Sequence, residues 1–144
     1  MTSTILRSTV AAIAFAGAMA FAAPSMAASM TFKASLDGKS EVPPNDSKGT
    51  GTVTATYDTD SKKLTWKGSY KDLSGAATAA HFHGPAAAGK NAGVLVPIAP
   101  ATSPLEGSAT LTDDQAKALM SGDVYVNVHT AANKGGEIRG QLTK

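Results

Sequence analysis

From Met30 onward, apolar residues fall at every second position over much of the chain, and this rhythm limits the fold more than any other feature. Met30, Phe32, Ala34 and Leu36 alternate with Thr31, Lys33 and Ser35. Val53, Ala55 and Tyr57 alternate with threonines, and Leu64, Trp66, Gly68 and Tyr70 follow a polar turn over 58–62. A strand sends successive side chains to opposite faces, so each run buries one face and wets the other. The second and third runs make a hairpin, and Tyr57 and Trp66 belong to its buried side. Further strands are predicted over 78–83, 93–98 and 107–111, interrupted by Gly84-Pro85 and Ala99-Pro100. The stretch 41–51 carries Pro43-Pro44, which cannot donate to a sheet ladder, and reads as a loop.

One helix stands against this background. Thr112-Asp113-Asp114-Gln115 is a capping-box sequence, Ala116, Leu119 and Met120 supply a short apolar stripe, and Gly122 is placed to end it. Seven or eight short strands with one helix predict an all-β fold. It is either an antiparallel β-sandwich or a partly closed Greek-key barrel.

The first residues read as an address. Arg7 gives a positive start, the apolar stretch 11–23 is too short to span a bilayer, and Ser25-Met26-Ala27 is a small-residue cleavage pattern. The expected division is a signal peptide over 1–27, which is removed, and one domain over 28–144 with no membrane span. The expected compartment is periplasmic or extracellular. Cysteine is absent, but a domain of this length builds a sufficient core without disulfides. Only Arg7 of the thirteen basic residues lies in the leader, so twelve basic side chains then face eleven acidic ones, a formal charge of +1. The lysines form no basic stripe with interleaved aromatics, so no nucleic-acid partner is expected.

The last two strands have apolar positions that restrict their pairing. Val124, Val126 and Val128 share a face, as do Ile138, Gly140 and Leu142. An antiparallel hairpin through the loop 131–135 therefore sets Val128 opposite or diagonal to Ile138. The other face collects Tyr125, Asn127 and His129 with Glu137, Arg139 and Gln141. In the simplest register Glu137 stands across from His129, where its carboxylate can accept an imidazole N–H. A Glu41–Arg139 ion pair is expected to pin the proline-rich loop, and Asn127 is a further supporting residue.

All three histidines fall in two such segments, His81-Phe82-His83 and Val126-Asn127-Val128-His129. His81 and His83 point to one face about 7 Å apart along the strand, and His129 can add a third nitrogen. An imidazole-rich site suits copper or zinc. Met30 is a conceivable soft ligand for reduced copper, but a core position explains it better. The plain alternative is that strand histidines merely bond to nearby carbonyls.

Leu36-Asp37-Gly38 with Glu41-Val42-Pro43-Pro44, Ala80-His81-Phe82-His83-Gly84-Pro85-Ala86, Gly122-Asp123-Val124-Tyr125-Val126-Asn127-Val128-His129-Thr130 and Gly136-Glu137-Ile138-Arg139-Gly140-Gln141-Leu142 occur in order. With these four motifs the chain resembles the CHRD (chordin-type) domain family. The resemblance implies a β fold and an extracytoplasmic location rather than an activity. A shorter likeness, limited to the H-x-H, is to copper–zinc superoxide dismutase. Three histidines cannot build that enzyme's dinuclear centre.

Catalysis has little support in the sequence. There is no Gly-x-Ser-x-Gly elbow, H-E-x-x-H helix or phosphate-binding glycine loop, and Ser74 and Ser103 lack a neighbouring His and Asp pattern. Two functions follow from the sequence. The first is an exported protein holding one copper or zinc ion through His81, His83 and His129, for metal handling or sensing. The second is a non-catalytic extracellular module binding a protein or glycan partner.

Overall fold

The computed structural model describes residues 28–144, and the leader read over 1–27 lies outside them. Eight strands carry the fold: β1 (Ser29–Asp37), β2 (Thr50–Asp58), β3 (Lys63–Lys71), β4 (Ala77–His83), β5 (Val94–Ile98), β6 (Leu105–Thr110), β7 (Tyr125–Thr130) and β8 (Ile138–Gln141). They form one antiparallel sheet in the order β5-β4-β7-β8-β1-β2-β3-β6. Its two edge strands, β5 and β6, curl toward one another, so the sheet is a nearly closed barrel rather than two stacked sheets. Among the described residues, no helix is long and apolar enough to cross a membrane.

The period-two rhythm becomes the inside of this barrel. Phe32, Ala34, Leu36, Val53, Ala55, Tyr57, Leu64, Trp66, Phe82, Val126, Val128 and Ile138 are all buried, with the Trp66 and Phe82 rings edge to face at 5.1 Å. Met30 packs against the same cluster. Along β1 it lies seven residues from Asp37, which pairs with Arg139, and β1 runs away from His129 in that direction. Met30 is therefore no ligand.

The one helix among the described residues, α1 (Asp113–Met120), begins as its sequence dictates. The Thr112 hydroxyl accepts from the Gln115 amide at 3.3 Å, and Gln115 Oε1 accepts from the Thr112 amide at 2.9 Å. Gly122 takes φ +79°, the left-handed conformation that ends the turn. The buried stripe differs from the expected one: Ala116, Ala118 and Leu119 face the core, and Met120 is exposed. The Gln115 Nε2 bond to the Leu95 carbonyl ties the helix to β5 and sets which side faces inward.

The hairpin that carries the candidate site has the register its apolar positions require. Val128 pairs with Ile138, Asn127 with Arg139 and Tyr125 with Gln141. On the other side of β7, His81 pairs with Asn127, His83 with Tyr125 and Ala79 with His129.

Candidate metal centre

The outward faces of β7, β8 and the end of β4 are polar, yet largely buried, with His81 and His129 half-buried. Asn127, Glu137 and Arg139 are each no more than 2% exposed, and His83 and Tyr125 are nearly as enclosed. Four loops reach them, among them the loop between β3 and β4 through Ser74. The proline-rich loop contributes Glu41 and Asn45, the segment after β4 contributes Lys90, Asn91 and Ala92, and the β7–β8 turn contributes Asn133 and Lys134. Asn91 Nδ2 donates to the Val42 carbonyl at 3.2 Å and so joins two of these loops.

Inside this covered layer the three histidines meet. Their candidate ligand nitrogens all lie within 4.8 Å of one another, and His81 Nδ1 is 3.1 Å from His129 Nε2. Nitrogens that share an ion with bonds of about 2.0–2.1 Å sit roughly 3–4 Å apart, so small ring rotations close the remaining gap.

Two backbone carbonyls decide which nitrogen of each ring is free. His83 Nδ1 donates to the Ala92 carbonyl at 3.0 Å, and His129 Nδ1 donates to the Lys134 carbonyl at 2.9 Å. A carbonyl only accepts, so Nδ1 carries the proton in each neutral ring, and Nε2 keeps its lone pair. The buried Nε2 of His83 has no hydrogen-bond partner. Burial, then the neighbouring His129 and His83, lowers the pKa of His81; burial also lowers that of His83, against the opposing effect of the Ala92 carbonyl. Both rings are thereby held neutral, the form that binds a metal. A convergent set of neutral nitrogens around an orphaned lone pair fits a borderline cation such as zinc or copper.

His83 is also held in its plane. Its ring stacks on Tyr125 with centroids 4.8 Å apart and 4° between planes, and the Arg139 guanidinium covers the far face of the layer, 3.4 Å from the Tyr125 centroid. A desolvated cation–π contact of this kind contributes about 2 kcal/mol. Arg139 further donates to Asn91 Oδ1 at 2.9 Å and to the Lys90 carbonyl, and the Tyr125 hydroxyl lies 3.2 Å from the Ala92 amide that it accepts from. One stack therefore holds both the ring and the loop that fixes its tautomer.

Two expectations about supporting residues need correction. Glu137 does stand across from the His129 position, but its carboxylate accepts five bonds elsewhere: from Ser47 Oγ, the Ser74 amide and hydroxyl, Thr130 Oγ1 and Asn133 Nδ2, at 2.5 to 3.1 Å. Despite burial, these donors hold its pKa down at about 2. The carboxylate serves the loops, and the Lys134 carbonyl takes its expected place at His129. Nor does Glu41 form an ion pair with Arg139 among the described residues. Arg139 is committed to Tyr125, Lys90 and Asn91. Burial raises the pKa of Glu41, while the Val42 amide and the more distant charge of Arg139 only partly offset it.

The CHRD domain family model matches residues 32–142, most of the chain. No curated protein and no solved structure matches it.

Proposed function

The chain belongs to the CHRD domain family, and from that premise we propose that it is an exported protein that binds one copper or zinc ion through His81, His83 and His129. Its role is metal handling or sensing in the periplasm or outside the cell. The observation that carries this reading is the geometry: three imidazoles within 4.8 Å, two of them fixed by carbonyls with Nε2 lone pairs left over. The leader-like start of the sequence supports export. The ring nitrogens would hold the ion, and the carbonyls of Ala92 and Lys134 would keep those nitrogens oriented and basic. Copper(II) is favoured by intrinsic affinity and zinc wherever copper is scarce.

The test is titration of the purified protein with copper(II) and with zinc, repeated for His81→Ala and His129→Ala. One ion per chain is expected, with both substitutions weakening it. Absence of stoichiometric binding, or variants that bind like the parent, would remove this reading.

A further inference from the structure

Besides His83 Nε2, three other buried polar atoms of this layer lack a partner, Asn127 Oδ1, Glu41 Oε1 and Gln141 Oε1, and of these Asn127 Oδ1 lies among the histidines. Asn127 occupies the middle of the constellation. It pairs with His81 across the ladder, stands two residues before His129 on the same face of β7, and its amide faces the His83 ring.

The orientation of that amide follows from its neighbours. Asn127 Nδ2 points to the Gly135 carbonyl at 3.5 Å and to the carboxyl of Glu41. Turning the amide over would set its oxygen against two other acceptors, so Oδ1 belongs on the side of the histidines. Gly136 makes room for this arrangement. A Cβ there would lie 2.1 Å from Glu41 Oε1 and 2.7 Å from Asn127 Nδ2, and its φ of +132° is one that other residues rarely adopt.

The result is a pair of facing acceptors. His83 Nδ1 holds its proton on Ala92, so the nitrogen facing Asn127 presents a lone pair, and Asn127 Oδ1 presents another. Two buried acceptors side by side, neither with a donor, cost free energy unless a donor or a cation lies between them. We propose that Asn127 Oδ1 is the fourth ligand of the metal centre, completing a three-nitrogen, one-oxygen set, and that Glu41 is a positioning residue whose carboxyl, on the Nδ2 side of the amide, keeps Oδ1 turned toward the histidines. This rests on the three-histidine reading and deepens it. The oxygen is neutral, so the loaded site keeps the full charge of the ion.

Copper(II) alone is the probe, followed by its electron paramagnetic resonance spectrum and by deuterium modulation from exchangeable equatorial water. In the parent protein, no equatorial water is expected. Asn127→Ala should lose 10- to 100-fold in affinity and admit an equatorial water, with altered g and hyperfine values. Asn127→Asp keeps an oxygen in place and should restore water exclusion. Glu41→Gln should weaken binding less and shift the spectrum without removing a ligand. Equatorial water in the parent protein, or an Asn127→Ala spectrum and affinity equal to the parent's, would overturn the assignment. Because the parent measurement needs no substitution, a variant that fails to fold does not protect the proposal. If the parent binds no copper, the three-histidine reading itself fails. If it binds and Asn127 makes no difference, only the fourth ligand fails.

Discussion

The outside of this barrel has two characters on one continuous sheet. On β1, β2 and β3 the outward residues Thr31, Lys33, Ser35, Thr52, Thr54, Thr65 and Lys67 are exposed, and alternation gives water one face and the core the other. On β7, β8 and the end of β4 the outward residues are just as polar, but four loops cover them: Asn127, Glu137, Arg139 and His83 are buried, and His81 and His129 are half-buried. Polar burial is expensive unless satisfied. On the proposed reading, the acceptors left unmatched beside the histidines are where the ion sits.

The largest contrast should appear on removing Glu137. Glu137→Ala removes the buried carboxylate that five donors share and should destabilise the protein by about 3 kcal/mol, whereas Lys67→Ala on the exposed half should stay within about 0.5 kcal/mol. Urea denaturation of both variants measures the difference, and equal effects would erase the distinction between the halves. Metal should act on the covered half alone: ion at about 100 times its dissociation constant should add about 2.7 kcal/mol to stability, and His83→Ala should abolish that gain, as melting with and without zinc would reveal. Tyr125→Phe keeps the stack on His83 but loses the hydroxyl contacts with Ala92, and should cost about 1 kcal/mol while leaving one ion bound. Thr112→Ala, far from either outer face, should cost about 1 kcal/mol through the helix cap alone and leave metal affinity unchanged.

Acid sharpens the same comparison. The pKa of Glu137 is about 2 in the folded protein against 4.5 for an unperturbed glutamate, so the native state holds fewer protons than the unfolded chain between those values. Its contribution is whole above about pH 4.5 and is lost as pH falls toward 2. Denaturation midpoints over that range should drop in the parent and much less in Glu137→Gln.

Much of this was legible in the sequence because the barrel obeys alternation. The Val128–Ile138 register, the membership of the outer face and the gathering of the histidines all follow from which residues sit at even and odd positions. The capping box was equally readable, being local. What escaped depends on loops that reach the site from far along the chain. Nothing near Glu137 announces Ser47 or Ser74, so its carboxylate looked free for His129. The groups that orient His83 and His129 are main-chain carbonyls of Ala92 and Lys134, which any residue supplies. Tyr125 and Arg139 carried a faint signal, since an aromatic and a charge on adjacent outward strand positions stack readily, but only the covering loops make that contact dry.

The central claim is that the covered half gathers three imidazoles around one ion, and X-ray absorption of the zinc-loaded protein tests it most directly. The expected result is one zinc per chain with three imidazoles at about 2.0–2.1 Å. Zinc bound by a single imidazole among oxygen donors, or at less than one ion per chain, would contradict it.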